Sequence, residues 1–269
     1  METGTIGNYN LITGDEEILI NYLRENNLAK VNAESAEVHP ADNFYVRYVK
    51  RGLDLLVGVP AFLITLPFNV IFGICTFFDV GRPIFYKQSR IGKGGKPFVL
   101  VKFRNMNNKT DADGKMLSPK ERTTKFGKFM RKLSLDELLN FWSIVKGDMS
   151  VIGPRPLPVS YQERMSERHK NRSAVRPGLE CPRMLAGDPE LCQYQNQFEN
   201  DVWYVEHVSF AVDVKMILLL FKMTFNVRHR SKAAEGNGYF DGYDHTGVAT
   251  TLNRFKRMYP DLWDKVKGD

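Results

Sequence analysis

The sequence predicts an α+β fold: a mostly helical small domain with short β-hairpin strands. A re-entrant (helix-break-helix) membrane helix anchors it, aided by interfacial amphipathic helices. Three observations predict this. Leu55–Phe78 is a run of 24 residues without a charge, interrupted by Pro60 and Pro67. Pro83–Tyr86 and Phe98–Phe103 read as short strands separated by a Gly92–Gly95 turn. Helical periodicity marks much of the remainder, as at Leu135, Leu138, Leu139 and Trp142.

The apolar run is long enough as straight helix, at about 36 Å, to cross a hydrocarbon core of about 30 Å. Two features argue for a helix that dips in, breaks near Pro67 and returns. A mid-helix proline removes a hydrogen bond and bends the axis. Both flanks are basic, with Arg47, Lys50 and Arg51 before the run and Arg82, Lys87, Arg90 and Lys93 after it. The positive-inside rule puts both flanks on the cytoplasmic side.

At 269 residues the chain has ample length for one good-sized domain with extensions. Hydrophobic content of 43% and charged content of 26% are ordinary for a globular chain. The net charge of +7 is unevenly placed, because residues 1–43 hold eight acids and two bases. The remaining body is strongly basic, which suits nucleic acid, nucleotide phosphates or an anionic membrane surface. Helix-turn-helix, zinc-finger and aromatic RNA-binding signatures are missing, which argues against nucleic acid. Cys75, Cys181 and Cys192 form no C-x-x-C, so neither a zinc site nor a disulfide framework is expected. Met1–Gly14 lacks the basic and apolar regions of a signal peptide.

Residues 15–30 suggest a short amphipathic helix using Ile18, Leu19, Tyr22 and Leu23, and Asn32–Asn43 reads as a linker. Gly92–Gly95 lacks P-loop spacing and is read as a turn. Lys102 and Arg104 alternate with apolar neighbours, as a basic groove or a solvated strand face would. Asn107–Pro119 is a polar loop, and Lys125–Lys132 a basic helix. Residues 158–172 suggest one helix, and Phe198–Phe225 another, with an apolar stripe of Phe210, Val214, Ile217, Leu218, Phe221 and Phe225. That stripe fits core packing or an interfacial helix whose lysines snorkel. His169 lacks neighbours at ligand spacing. A short helix is expected around Leu252–Val266.

Ser134-Leu135-Asp136-Glu137-Leu138 has two readings. Ser134 and Glu137 match a capping box, which puts both acids in a first helical turn. Equally, a helix N-terminus welcomes phosphate, and an acid there can attack phosphorus while its neighbour handles a proton or a metal. Lys120, Arg122, Lys125, Lys128, Arg131 and Lys132 crowd the approach. Spacing leaves both readings open.

Taken together, several motifs carry a resemblance. They are Lys50-Arg51…Asp54, Lys102-Phe103-Arg104…Met106, Leu133–Leu138, Lys146-Gly147-Asp148-Met149-Ser150, Gly153-Pro154-Arg155-Pro156, Val175-Arg176-Pro177-Gly178 and Tyr204 with Ser209-Phe210…Asp213-Val214-Lys215. In this order, from about Tyr48 to Phe225, the chain resembles the bacterial sugar transferases, specifically the small monotopic phosphoglycosyl transferases.

The resemblance implies that Asp136 attacks the β-phosphorus of a nucleoside diphosphate sugar, usually a UDP-sugar. UMP leaves, and polyprenyl phosphate then takes the phosphosugar from the aspartate. It implies that Glu137 assists with proton transfer and that Asp136 and Glu137 hold Mg²⁺. Substrate-binding roles fall to Arg131, Arg155, Arg176, Lys102 and Asp148, and the membrane break to Pro67. The expected partners are UDP-sugar, polyprenyl phosphate, the inner leaflet and a second copy of the chain. The expected location is the cytoplasmic face of a bacterial inner membrane.

The division follows as 1–43, an acidic extension; 44–80, the re-entrant helix; 81–230, the catalytic domain; and 231–269, a C-terminal extension. Three departures from the family pattern stand out. Leu66-Pro67 replaces Ser-Pro, so the break rests on proline without a serine back-bond. Leu139 follows Asp-Glu-Leu where proline is usual. Leu179-Glu180-Cys181-Pro182-Arg183 replaces the usual Thr-Gly-…-Gln, which motivates an alternative: a non-catalytic membrane-surface scaffold of the same fold.

Overall fold

A computed structural model of the chain describes residues 12–225 and 238–268, the side chains at 221 and 223–225 excepted. Residues 1–11, on which the leader reading rests in part, lie outside the described residues. So do the Phe221 and Phe225 side chains of the apolar stripe, and residues 231–237 of the C-terminal extension.

The chain forms two compact units, each discontinuous in sequence. The first holds Arg51–Ser89 and Phe98–Val151; the second holds Tyr9–Lys50, Arg90–Pro97 and Ile152–Asp269. The elements in order are α1 (Gly14–Asn26), α2 (Leu28–Glu34), α3 (Lys50–Val80), β1 (Phe85–Ile91), β2 (Pro97–Phe103), α4 (Pro119–Arg122), α5 (Lys125–Lys132), α6 (Asn140–Lys146), β3 (Ser150–Ile152), α7 (Glu167–Lys170), β4 (Gly178–Glu180), α8 (Gln193–His207), α9 (Phe210–Phe225), β5 (Gly242–Tyr243), β6 (Ala249–Thr250), α10 (Leu252–Met258) and α11 (Pro260–Gly268). The chain is mostly helical with few short strands, as expected.

In the first unit, α3 dominates. The helix continues across both Pro60 and Pro67, which cannot donate to it. One stripe at three- and four-residue spacing, Asp54, Gly58, Phe62, Thr65, Asn69, Gly73 and Thr76, is buried or half-buried. Small residues on it permit close packing: a Cβ on Gly58 would lie 2.7 Å from Ile144, and one on Gly73 would lie 3.6 Å from Phe103. The other face exposes Leu56, Leu63, Ile64, Phe68, Ile71 and Phe78. Among the described residues, Tyr45–Val80 is the segment long and apolar enough to cross a membrane. Thr65 Oγ1 donates to the carbonyl of Ala61 at 2.8 Å. Back-bonding of this kind bends helices. This back-bond lies one residue before Leu66-Pro67.

β1 and β2 pair as a hairpin, and Lys93–Gly95 makes the turn between them. The first strand begins at Phe85 rather than at Pro83, since proline cannot donate to a ladder.

In the second unit, four expected helices are broken. The one expected over residues 15–30 divides at Asn27 into α1 and α2. Residues 158–172 form a 3₁₀ stretch (Val159–Arg164), then α7, then a second 3₁₀ stretch, Asn171–Ala174. Met165 is extended, and the Ser166 side chain caps the new start by accepting from the His169 N–H. The helix expected over Phe198–Phe225 divides at Val208, also extended, into α8 and α9. The helix at Leu252–Val266 divides at Tyr259 into α10 and α11, where Pro260 starts the second piece. The linker expected at Asn32–Asn43 starts later, because α2 continues to Glu34.

The two extensions share one core. Leu19 and Leu23 of α1 pack with Phe255 of α10 and with Trp263 and Val266 of α11. Val31 of α2 joins Tyr161, Met165, Phe198, Phe240 and Tyr243 in a second cluster. β5 and β6 pair antiparallel, with Gly242 opposite Thr250 and Tyr243 opposite Ala249. Ion pairs from Asp15 to Lys256 at 2.7 Å and to Lys267 at 3.4 Å finish the rim.

Asp241 sits in this core at 1% exposure. Its Oδ2 accepts from the Leu252 N–H at 2.7 Å. Its Oδ1 stands 3.8 Å from Arg164, beyond a hydrogen bond. Burial pushes the carboxyl up to about 7, against the pull of the Leu252 N–H and Arg164. The folded chain thus takes up a proton that the unfolded chain accepts only near pH 4. Folded-state stability from this group rises as pH falls from 8 toward 5. Thermal melting of the protein in detergent should show that rise, and Asp241→Asn should flatten it; an unchanged slope in the variant contradicts the assignment.

Candidate active site

The site in the first unit grows from the end of β2. Phe103 points inward, at 1% exposure. Arg104, on the opposite side of the strand, donates to the carbonyls of Val80 and Arg82. Val80 O is an orphan acceptor at the C-terminal end of α3, where a cation also suits the helix dipole; Arg82 lies just beyond that end. Gly81, at φ +71°, closes that end by donating to Phe77 O. At the other end, Arg51 donates to the carbonyls of Ile144 and Val145, at 2.7 and 3.0 Å, and so caps α6. Asp54 accepts from the Ser150 hydroxyl and the Val151 N–H. Both ends of the apolar helix are thereby tied to the same unit.

Asn105 follows Arg104 and turns inward, at 5% exposure. Helix α5 sits directly on it: a Cβ at Gly127 would lie 2.1 Å from Asn105 O. Thr124 starts α5 by accepting from the Gly127 N–H and donates its own hydroxyl to Asp79. One turn past Gly127, Arg131 Nη2 donates to Asn105 Oδ1 at 2.8 Å. Asn105 Nδ2 in turn donates to Asp136 Oδ2 at 2.9 Å.

The capping box expected at Ser134 is not formed. Ser134 adopts φ +56°, in the left-handed region, and its side chain makes no cap bond. An N-cap needs extended backbone. Here α5 has just ended, and the chain reverses through a left-handed residue into a 3₁₀ turn, Leu135–Glu137. The next helix, α6, starts only at Asn140. A non-glycine residue in that region carries strain of about 1 kcal/mol, the kind found at functional sites. The face buried by α6 is Asn140, Ser143 and Ile144, whereas Trp142, expected inside, is 47% exposed and meets Phe62.

Asp136 itself is buried, at 5% exposure. Burial holds its carboxyl above the ordinary range, and Glu137 adds to that; Lys102 chiefly, then the residue's own backbone N–H, then Arg131, pull the other way. Lys102 also lies 5.5 Å over the Tyr86 ring. The structure therefore gathers Lys102, Arg131, Asp136 and Glu137, four residues picked out by sequence. Asp148, expected to bind substrate, instead pairs with Lys146 at 2.6 Å just past the end of α6. Asn105 was not picked out. The strand alternation carried it: two residues past inward Phe103, an amide falls on the buried face and needs partners there.

Arg155 and Arg176 belong to the second unit, on two interlocked loops. A Cβ on Gly178 would lie 2.2 Å from Gly153 N, and one on Gly153 would lie 2.5 Å from Arg176 O. Gly153 N–H donates to Glu180 O, and Gly178 N–H to Pro154 O. Arg172, in a buried 2.6 Å pair with Asp201, donates to Arg155 O. The Arg155 guanidinium stands 3.7 Å from Glu180. The segment with the family departure is pinned to α8: Asn200 Oδ1 accepts from the Met184 and Leu185 N–H groups, and Asn196 Oδ1 from that of Asp188.

Residues 45–227 match the family described as bacterial sugar transferase. The chain belongs to that family. It is 41% identical over 140 residues to the uncharacterized sugar transferase EpsL of Bacillus subtilis (strain 168), covering 52% of this chain and 69% of that protein. It is 31% identical over 184 residues to an Aeromonas hydrophila protein named UDP-N-acetylgalactosamine-undecaprenyl-phosphate N-acetylgalactosaminephosphotransferase, covering 65% of this chain and 42% of that one. With a Klebsiella pneumoniae protein named UDP-glucose:undecaprenyl-phosphate glucose-1-phosphate transferase, identity is 32% over 187 residues, 66% of this chain and 40% of the relative. The last two names are those of sugar-phosphate transferase enzymes. The chain spans about two fifths of the length of those two relatives.

The glycine crossing yields a structural prediction. Gly178→Ala forces backbone against backbone and should destabilise the second unit by about 1–3 kcal/mol. Gly14→Ala, with nothing within 4 Å of the added Cβ, is the matched control. Urea melts that leave the two variants equal would remove the crossing as a constraint.

Proposed function

We propose that this chain transfers a sugar 1-phosphate from a nucleoside diphosphate sugar, a UDP-sugar, to undecaprenyl phosphate and releases UMP. This would be the first membrane step in assembling a bacterial glycoconjugate such as a capsule, O-antigen, exopolysaccharide or protein-linked glycan. The observation that carries the reading is a buried carboxylate, Asp136, with Lys102 and Arg131 as its nearest cationic influences, on a turn held by Asn105. A carboxylate attacking an anionic diphosphate needs such cations, because two anions repel. The substrate classes come from the names of the relatives.

In the first step, a lone pair on an Asp136 carboxylate oxygen forms a bond to the β-phosphorus. The bond from that phosphorus to the bridging oxygen breaks, and its electron pair leaves with UMP. A phosphate oxygen of undecaprenyl phosphate then attacks the same phosphorus, and the aspartate oxygen departs as carboxylate. Lys102 and Arg131 offset the diphosphate charge, while burial keeps water from the mixed anhydride. Phosphate-binding roles for Arg155 and Arg176 rest on the resemblance.

Among the described residues, no three His, Cys, Asp or Glu side chains gather as a metal cage. The Asp136–Glu137 pair suits Mg²⁺, which is commonly held by one or two carboxylates plus substrate phosphates. When bound, the ion would supply charge neutralisation at the diphosphate.

The re-entrant disposition is part of the same proposal. Thirty-one residues of helix extend about 46 Å, so a straight crossing would put the ends on opposite faces. What supports a dip and return is that Arg51, Asp54, Gly58, Gly73, Asp79 and Arg104 all engage one unit along the helix. The basic flanks then lie on the cytoplasmic face of the inner membrane.

UMP release from a panel of UDP-sugars, with nanodisc-held protein, Mg²⁺ and undecaprenyl phosphate, tests the reading. Lipid-dependent release is expected and should be lost in Asp136→Asn. Silence across the panel from folded protein favours a non-catalytic scaffold. The pH profile adds a second check. Because the reactive form is the carboxylate and its pKa is raised, kcat should fall on acidification sooner than for an ordinary aspartate. Lys102→Met removes the main lowering influence and should move that acid limb to still higher pH; an unmoved limb contradicts the electrostatic role.

A further inference from the structure

We propose that Asn105 is a positioning residue for Asp136, holding Oδ2 so that Oδ1 is the oxygen presented to phosphorus. The inference rests on the reading of Asp136 as nucleophile and goes beyond it. The argument begins with the two ends of one amide. Its NH₂ donates to Asp136 Oδ2 at 2.9 Å, and its carbonyl accepts from Arg131 Nη2 at 2.8 Å. A flip of that amide would set its oxygen against a carboxylate and its N–H groups against a guanidinium. Both contacts would be repulsive, so anion and cation together fix the orientation.

The backbone beneath the amide is fixed as well. Glycine at 127 lets α5 rest on Asn105 O, where any Cβ would stand at 2.1 Å. On the following turn of the chain, Asn107 N–H donates to Arg122 O. Asn105 is therefore rigid in place and in rotation. Asp136 sits in a short 3₁₀ turn behind Ser134, whose φ is positive, rather than in a regular helix. A rigid donor against one oxygen of its carboxylate selects its rotamer.

The chemistry follows the two steps already described. As Oδ1 bonds to phosphorus and UMP departs, Oδ2 becomes the carbonyl oxygen of the acyl phosphate and keeps its bond from Asn105. When undecaprenyl phosphate takes the phosphosugar, Oδ1 leaves with the electron pair. The returning negative charge is shared with Oδ2, where the amide donor stands ready. Asn105 touches the nucleophile, not the substrate, so its effect belongs in kcat rather than KM.

The test is rapid-quench measurement of the UMP burst from nanodisc-held protein without undecaprenyl phosphate. UDP-N-acetylgalactosamine, UDP-glucose and UDP-galactose are each supplied with Mg²⁺. Asn105→Ala should slow the burst about 100-fold, as a nucleophile displaced by about 1 Å would. Its amplitude, which counts intact sites, and its KM should stay near wild type. Asn105→Ser, which restores a donor, should recover at least about tenfold. An unchanged burst rate in Asn105→Ala overturns the proposal. So does a fall in amplitude and melting temperature with an unchanged rate, which would make the residue merely structural. A burst that survives Asp136→Asn, or none in the wild type, overturns the nucleophile reading itself.

Discussion

Two consecutive side chains at the end of β2 point opposite ways, and much of the first unit hangs on that alternation. Arg104 reaches to the last carbonyl of the apolar helix; Asn105 reaches to the Asp136 carboxylate. Both stand just past the end of β2 and keep the alternation of the strand. The apolar helix and the Asp136 carboxylate are thus referenced to one short piece of backbone. Charge-assisted bonds of this kind contribute about 1.5–3 kcal/mol each, against about 1 kcal/mol for a neutral pair. A helix end and a carboxylate held independently would each drift by its own loop motions.

Burial and charge pull Asp136 in opposite directions, and the balance explains the company it keeps. Removing a carboxylate from water favours its neutral form, which cannot attack. Lys102 chiefly, then the residue's own backbone N–H and Arg131, oppose that. Arg131 also donates to Asn105, the amide that in turn donates to the carboxylate.

Much of this was legible in the sequence, and the failures share a cause. Lys102, Arg131, Asp136 and Glu137 can be singled out as candidates because charge and motif order are properties of the chain itself. The basic helix at Lys125–Lys132 and the turn at Gly92–Gly95 emerged as read. Ser134 misled because serine followed by glutamate at the third position fits a cap, yet the chain had to reverse just after α5. The long helices expected at 158–172 and 198–225 broke at Met165 and Val208, apolar residues that periodicity counts as helical. Tertiary burial claimed both in extended form. Thr65 and Asn105 escaped notice since neither carries charge; their roles appear only with the partners in place.

The joining of both extensions into one core carries a consequence for biosynthesis. Asp15 finds Lys256 across 241 positions, and Leu19 waits for Phe255 and Trp263. During synthesis α1 and α2 are made before the elements they pack against, with the apolar helix in between. The core of the second unit can close only after α10 and α11 have been made.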